Sequence, residues 1–257
     1  MHACLPIHRY VFVFLVVALV LCAISPELAQ VAGRASLVAT AKLLRDGESR
    51  LKEGRTTLDE QVLVAARRDF TECVQMDSKS TQCFYDRARS EAYLEQVAQI
   101  QKDKKAAERW IDSAIEDAQH AIALDDGSAD AHALLADLYG NKIGVGGMFA
   151  GAHYGPKVDA EYERALQLDP NNSRVYLVMG HKYFFTPKMF GGNLDKAIAS
   201  FQKATTLDSN YDEAFVWLAI AYRKKGNAQS AERALGEALR LNPRSAFAKR
   251  IQEGARE

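Results

Sequence analysis

Proline is scarce, 6 residues in 257, and no Pro- or Ser-rich linker divides the chain. Few helix breakers among plentiful Ala, Leu, Glu, Lys and Arg favour helix throughout. Net charge is absent too: 33 Lys and Arg stand against 33 Asp and Glu. That balance supplies no bulk attraction to nucleic acid or to an anionic membrane surface, so nucleic acid is excluded as an expected partner. The six histidines have no H-E-x-x-H or other ligand spacing. His153 and His181 are expected to come near each other only as a hydrogen-bonded or exposed pair. No Gly-rich strand-to-helix loop ends in Lys-Ser or Lys-Thr. No nucleophile stands in an arrangement with a base, and the Asp125-Asp126 pair is placed to cap a helix. These absences predict no catalytic residue, no metal and no cofactor, hence a protein that is not an enzyme.

What is present begins at the N-terminus. His8 and Arg9 precede an unbroken apolar run, Tyr10 to Ile24, which Ser25 and Pro26 are expected to end. As a helix it would span roughly 22 Å, short of the roughly 30 Å hydrocarbon core. Residues 1–29 therefore read as a secretory signal peptide or an N-terminal membrane anchor. Leu19-Val20-Leu21-Cys22 also offers a lipidation site at Cys22, although Leu21 is large for one.

A repeat follows. Phe215-x-x-Leu218-Ala219-x-x-Tyr222, Ala231-x-x-x-Leu235-x-x-Ala238 and Pro243 make one unit. Leu218 and Tyr222 share a helix face, the alanines let paired helices approach, and Gly226-Asn227 permits a left-handed turn. The frame steps back to Tyr176-x-x-Met179-Gly180-x-x-Tyr183 with Ala197-x-x-x-Phe201-x-x-Ala204, and to Leu135-Ala136-x-x-Tyr139. Linkers recur as LDPNN, LDSN, LNPRS, LDDGS and MDSKS. The pattern resembles the tetratricopeptide-repeat (TPR) family, closely in the C-terminal half and loosely before it. The resemblance implies an all-α, right-handed superhelical solenoid of antiparallel helix pairs. About five pairs and a C-terminal capping helix would occupy 34–257, with the clearest repeats at 129–172, 173–209 and 210–243.

In the family's register the groove-facing positions fall on Arg174, Leu177, His181, Phe184 and Phe185, then on Glu213, Val216, Ile220, Arg223 and Lys224. The preceding repeat adds Asp130, Asp137 and Asn141. An apolar, aromatic floor with charged edges suits a docked peptide or helix. Two Gly-rich inserts, Gly146 to Lys157 and Thr186 to Ala197, are expected as loops on one edge, with Met148, Phe149, Met189 and Phe190 tucked between helices. His153 and Tyr154 belong to the first insert. Both inserts resemble segments of secreted bacterial TPR proteins. The second also resembles a stretch of the periplasmic T-component of TRAP-type transporters. Cys73 and Cys83 flank the turn Met76 to Lys79 on facing helices, so they are the disulfide candidate in an oxidising compartment. The function implied is a scaffold binding a protein or peptide partner in its groove in the bacterial envelope, periplasmic or tethered to the membrane. An accessory role in a TRAP-type transporter and homo-oligomer formation are the other expectations.

Overall fold

The structure, a computed structural model, describes residues 8–254, with side chains from Gln30 onward except Ala32, Ala35 and Met148. It divides into two compact units, residues 1–43 and 44–257. The described residues are helical with no strand. Helix α1, His8–Thr57, runs unbroken through Ser25 and Pro26, which end the apolar run but not the helix. A proline forfeits one hydrogen bond, which a long helix can absorb. Among the described residues no helix is long and apolar enough to cross a membrane. The leader expected over 1–29, Cys4 and Cys22 included, lies outside the residues whose side chains are described.

The second unit holds the end of α1 and nine further α-helices. These are α2 (Glu60–Met76), α3 (Thr81–Gln101), α4 (Lys104–Leu124), α5 (Ala129–Leu168), α6 (Ser173–Phe185), α7 (Leu194–Leu207), α8 (Asp212–Lys224), α9 (Ala228–Leu241) and α10 (Ala246–Gln252). Successive helices pack as neighbours, α3 on α4, α6 on α7 and α8 on α9. The result is a helical solenoid.

The recurring linker explains the corners. Asp77, Asp125, Asp169 and Asp208 each follow a helix, and each carboxylate accepts from the backbone N–H two residues on, at 2.9–3.0 Å. That local turn reverses the chain. Ser80, Ser128 and Asn172 then cap the next helix by accepting its orphan N–H groups. Asp-x-x-Ser/Asn thus ends one helix and starts another. The pairs close tightly because small residues meet large ones. A Cβ on Gly180 would stand 2.2 Å from Phe201 Cε1, and one on Gly47 would stand 2.7 Å from Phe70 Cε1.

The first insert is not a loop. Gly146 to Lys157 is helical, and α5 is broken only at Gly147, which takes φ 69° and ψ −151°. One left-handed glycine suffices to turn the chain, and the residues on either side keep their helical hydrogen bonds. The second insert is compact: a 3₁₀ turn at Lys188–Phe190, Gly191 at φ 96°, then the Asn193 cap of α7. The tips are not plugs either. Phe149 is 91% exposed, Met189 83% and Phe190 64%. Phe149 lies in helix two residues past the Gly147 break, and Met189 and Phe190 lie in the 3₁₀ turn. The Met148 side chain lies outside the described residues.

Candidate functional site

Within the second unit, the inner faces of α3, α5, α6, α8 and α10 enclose a cavity of about 520 Å³. Helix α6 presents Arg174, Leu177, His181 and Phe185 to it at helical spacing. Asp137 and Asn141 come from α5 and Glu213 from α8, all expected groove positions.

Phe184, Val216, Ile220, Arg223 and Lys224, also expected in the groove, do not line the cavity. Val216 and Ile220 are 1% and 3% exposed, in the apolar cluster that includes Ala248 and Ile251 of α10. Arg223 Nη1 donates to the Ile251 carbonyl at 2.7 Å. The closing helix therefore packs over Val216, Ile220 and Arg223 and leaves Glu213 on the cavity wall. Phe184 is buried, and Lys224 Nζ rests 3.9 Å over its ring. Met189, Phe190, Phe149, His153 and Tyr154 lie outside the cavity as well. His153 has its own neighbours, Tyr154 edge-on at 4.6 Å and Lys157 Nζ at 3.1 Å.

Three contributions escape the repeat register. Trp217 lies one residue past the expected Val216. Its ring meets His181 at 4.5 Å, Phe185 at 5.6 Å and Phe247 of α10 at 5.6 Å between centroids. Arg89 and Tyr93 of α3, four apart, line the opposite wall. The i, i+4 spacing of two large residues was visible in the sequence, but α3 lacks the consensus that would have phased it. Tyr211 and Arg250 complete the wall from the α7–α8 linker and α10.

The polar groups are unevenly satisfied. His181 Nδ1 lies 2.8 Å from Asp137 Oδ1, and its Nε2 is buried without a partner. Tyr93 donates its hydroxyl to Glu213 at 3.2 Å. Arg89 Nη1 reaches the fully buried Asp86 at 2.8 Å while its Nε is buried without a partner, and Arg174 Nε stands 3.5 Å from Asp130 without a well-formed hydrogen bond. Glu95, almost wholly buried, bonds to Gln99. Burial pushes its carboxyl up to about 7, against that bond and with help from Asp137. Among the described residues no group of three His, Cys, Asp or Glu could hold a metal.

A second, more open cavity of about 880 Å³ shares Arg89, Tyr93, Arg174, Tyr211 and Glu213 with the first. These five residues stand as a waist between the two cavities, which together make up the lumen. Its far mouth is lined by the linkers, Asp169, Asn171 and Asn172, Asp208 and Asn210, and by the end of α1. There Arg55 Nη1 bonds to Asp212 Oδ1 at 2.9 Å, Glu53 pairs with Arg244, and Asn242 Nδ2 reaches Thr56 Oγ1 at 3.4 Å. The first helix pair thereby meets the last through long side chains. Away from the lumen, Cys73 and Cys83 are joined as a disulfide, with Cα atoms 5.8 Å apart.

Comparison with known proteins bears on the fold. Models of the TPR repeat match residues 191–226, and of the tetratricopeptide repeat 212–245. No curated protein is significantly similar in sequence. Among solved structures, TTC0263, a thermophilic TPR protein of Thermus thermophilus, is similar at 18% identity and TM-score 0.61, over 81% of this chain and 97% of that one. YrrB, a TPR protein with an unusual peptide-binding site, matches at 17% and 0.38, over 74% and 84%. MamA (41-end) of Desulfovibrio magneticus RS-1 matches at 16% and 0.39, over 80% and 97%. Residues 191–245 thus carry tetratricopeptide-repeat sequence, and the chain shares its helical-solenoid fold with TTC0263.

Proposed function

We propose that the chain is a non-catalytic scaffold that holds a peptide segment of a protein partner inside its lumen, in the bacterial envelope. TPR proteins generally bind protein or peptide partners and are generally non-enzymatic. The lumen itself carries the reading. It is concave, has an aromatic wall of His181, Phe185, Trp217 and Phe247, and faces that wall with a few convergent polar groups. Such a site gives an extended segment both an anchor and a register. The envelope assignment rests on the apolar run after His8-Arg9 and on the Cys73–Cys83 bridge. No feature of the described residues favours the transporter-accessory role over the scaffold.

A photo-crosslinking residue at Phe247, in protein expressed in its native host, tests this. The scaffold reading expects a discrete polypeptide adduct in the envelope fraction, lost in Trp217→Ala. Adducts unaffected by Trp217→Ala would overturn it, as would recovery of the chain solely from the cytosol.

A further inference from the structure

The first cavity is lined by both carboxylates and cations. Its three lining carboxylates are already engaged: Asp137 with His181, Glu213 with Tyr93 and Arg55, and Glu95 with Gln99. The cations are only partly so. Arg89 meets Asp86 through Nη1 and leaves a buried Nε–H unused, and Arg174 meets Asp130 only loosely, through its Nε at 3.5 Å. Arg250 also faces the cavity and makes no hydrogen bond or ion pair among the described residues. The two guanidiniums repel each other, each opposing the other's charge. A buried donor without an acceptor costs on the order of 1–3 kcal/mol, more when charged. Two like charges lining one waist, each with a single carboxylate partner, form a site that an acceptor would complete.

That waist adjoins the aromatic wall. Trp217 meets Phe185 edge-on and Phe247 at a tilt, and Phe185 is 57% exposed beside the buried Trp217. Exposed aromatic surface inside a concavity is surface that a ligand can cover.

We infer that the segment bound in the lumen carries a carboxylate close to an aromatic side chain. The carboxylate lies across Arg89 and Arg174, and the ring lies against Trp217 and Phe185. This rests on the scaffold reading and adds the chemistry of what is held. The guanidinium fork suits a planar two-oxygen acceptor, and the charge-assisted bonds would be the strongest in the site.

Two synthetic bead libraries of random heptapeptides test it, one acetylated and amidated, the other with free C-termini, each screened against the full chain. Hits are titrated by the fluorescence of Trp217 in a Trp110→Phe background. The inference expects an aromatic residue with Asp or Glu nearby in hits from the amidated library, or with the terminal carboxylate itself if only the free-ended library yields hits. Arg89→Gln and Arg174→Gln should each weaken acidic hits roughly tenfold or more while leaving their Asn or Gln analogues unchanged. Arg→Lys at either position keeps the charge without the fork and should give an intermediate loss. It replaces any Gln variant that circular dichroism shows to be unfolded. Hits without acidic preference, or a preference that survives in both Gln and Lys variants, overturn this inference and leave the scaffold standing. No hit from either library overturns both.

Discussion

Glu91 and Glu95 sit one helical turn apart on α3 and are almost without solvent exposure. Burial raises both carboxyls to about 7, with Asp117 adding repulsion at Glu91 and Asp137 at Glu95. In the unfolded chain they would titrate near 4.5. Between pH 4.5 and 7 the folded state therefore holds protons that the unfolded state has lost. Stability should fall as pH rises through that window, by on the order of 1–3 kcal/mol per carboxylate, and level off above it. Urea midpoints at about pH 5.5 and about pH 8 measure this, and Glu95→Gln should flatten the difference. An unchanged slope in that variant would remove Glu95 from the account. At Gly180 the constraint is volume. A methyl there would collide with Phe201, which is fully buried, so Gly180→Ala should cost roughly 1–3 kcal/mol in a urea melt. Gly180 was legible in the sequence as the repeat's small position. Trp217 was not, because its role depends on α10 covering Val216 and Ile220 beside it. Repeat phasing gives a helix face but not which neighbour arrives to cover it.

At the scale of elements, the linkers were the most legible feature. Asp-x-x-Ser/Asn specifies its own turn and cap through bonds within a few residues, so no distant contact is needed to read it. The inserts were less legible. Their glycines suggested loops, yet helix prevails around all but Gly147 in the first, since a glycine lowers helix stability by only about 1 kcal/mol. The bridge between α2 and α3 closes a short corner, Cys73 to Cys83, separated by 10 in sequence. Chain-entropy reasoning gives such a loop about 3 kcal/mol. Reduction should lower the thermal midpoint accordingly. Protein isolated under alkylating conditions from its native host should show both thiols blocked by each other. Free alkylated thiols in that sample would count against an oxidising compartment.

At the scale of the 44–257 unit, an ordinary solenoid unfolds as neighbours that answer only to neighbours. Here Arg55, Glu53 and Thr56 bond to Asp212, Arg244 and Asn242, tying the first pair to the last. Arg55→Met should therefore speed amide exchange in α8 to α10, far along the chain from the substitution, with little change in α4 and the first half of α5. Hydrogen-exchange mass spectrometry reads this directly, and faster exchange confined to α1 and α2 would show that the tie does not stabilise the far end. Nothing in the repeat pattern foretold these contacts, since they join residues 157 to 191 apart by polar side chains on the least regular repeat.

The same tie gives the unit a fixed tally. Repeat arrays lengthen and shorten in evolution by gaining or losing whole units, because each added pair meets the same interface as the last. An array whose first helix must meet its last residue by residue cannot do so. One pair more or fewer would rotate Asp212 away from Arg55 and dissolve the waist where Arg89 and Arg174 meet. Change in this chain is thus left to substitution within the lumen and to the exposed turns at Phe149 and Met189.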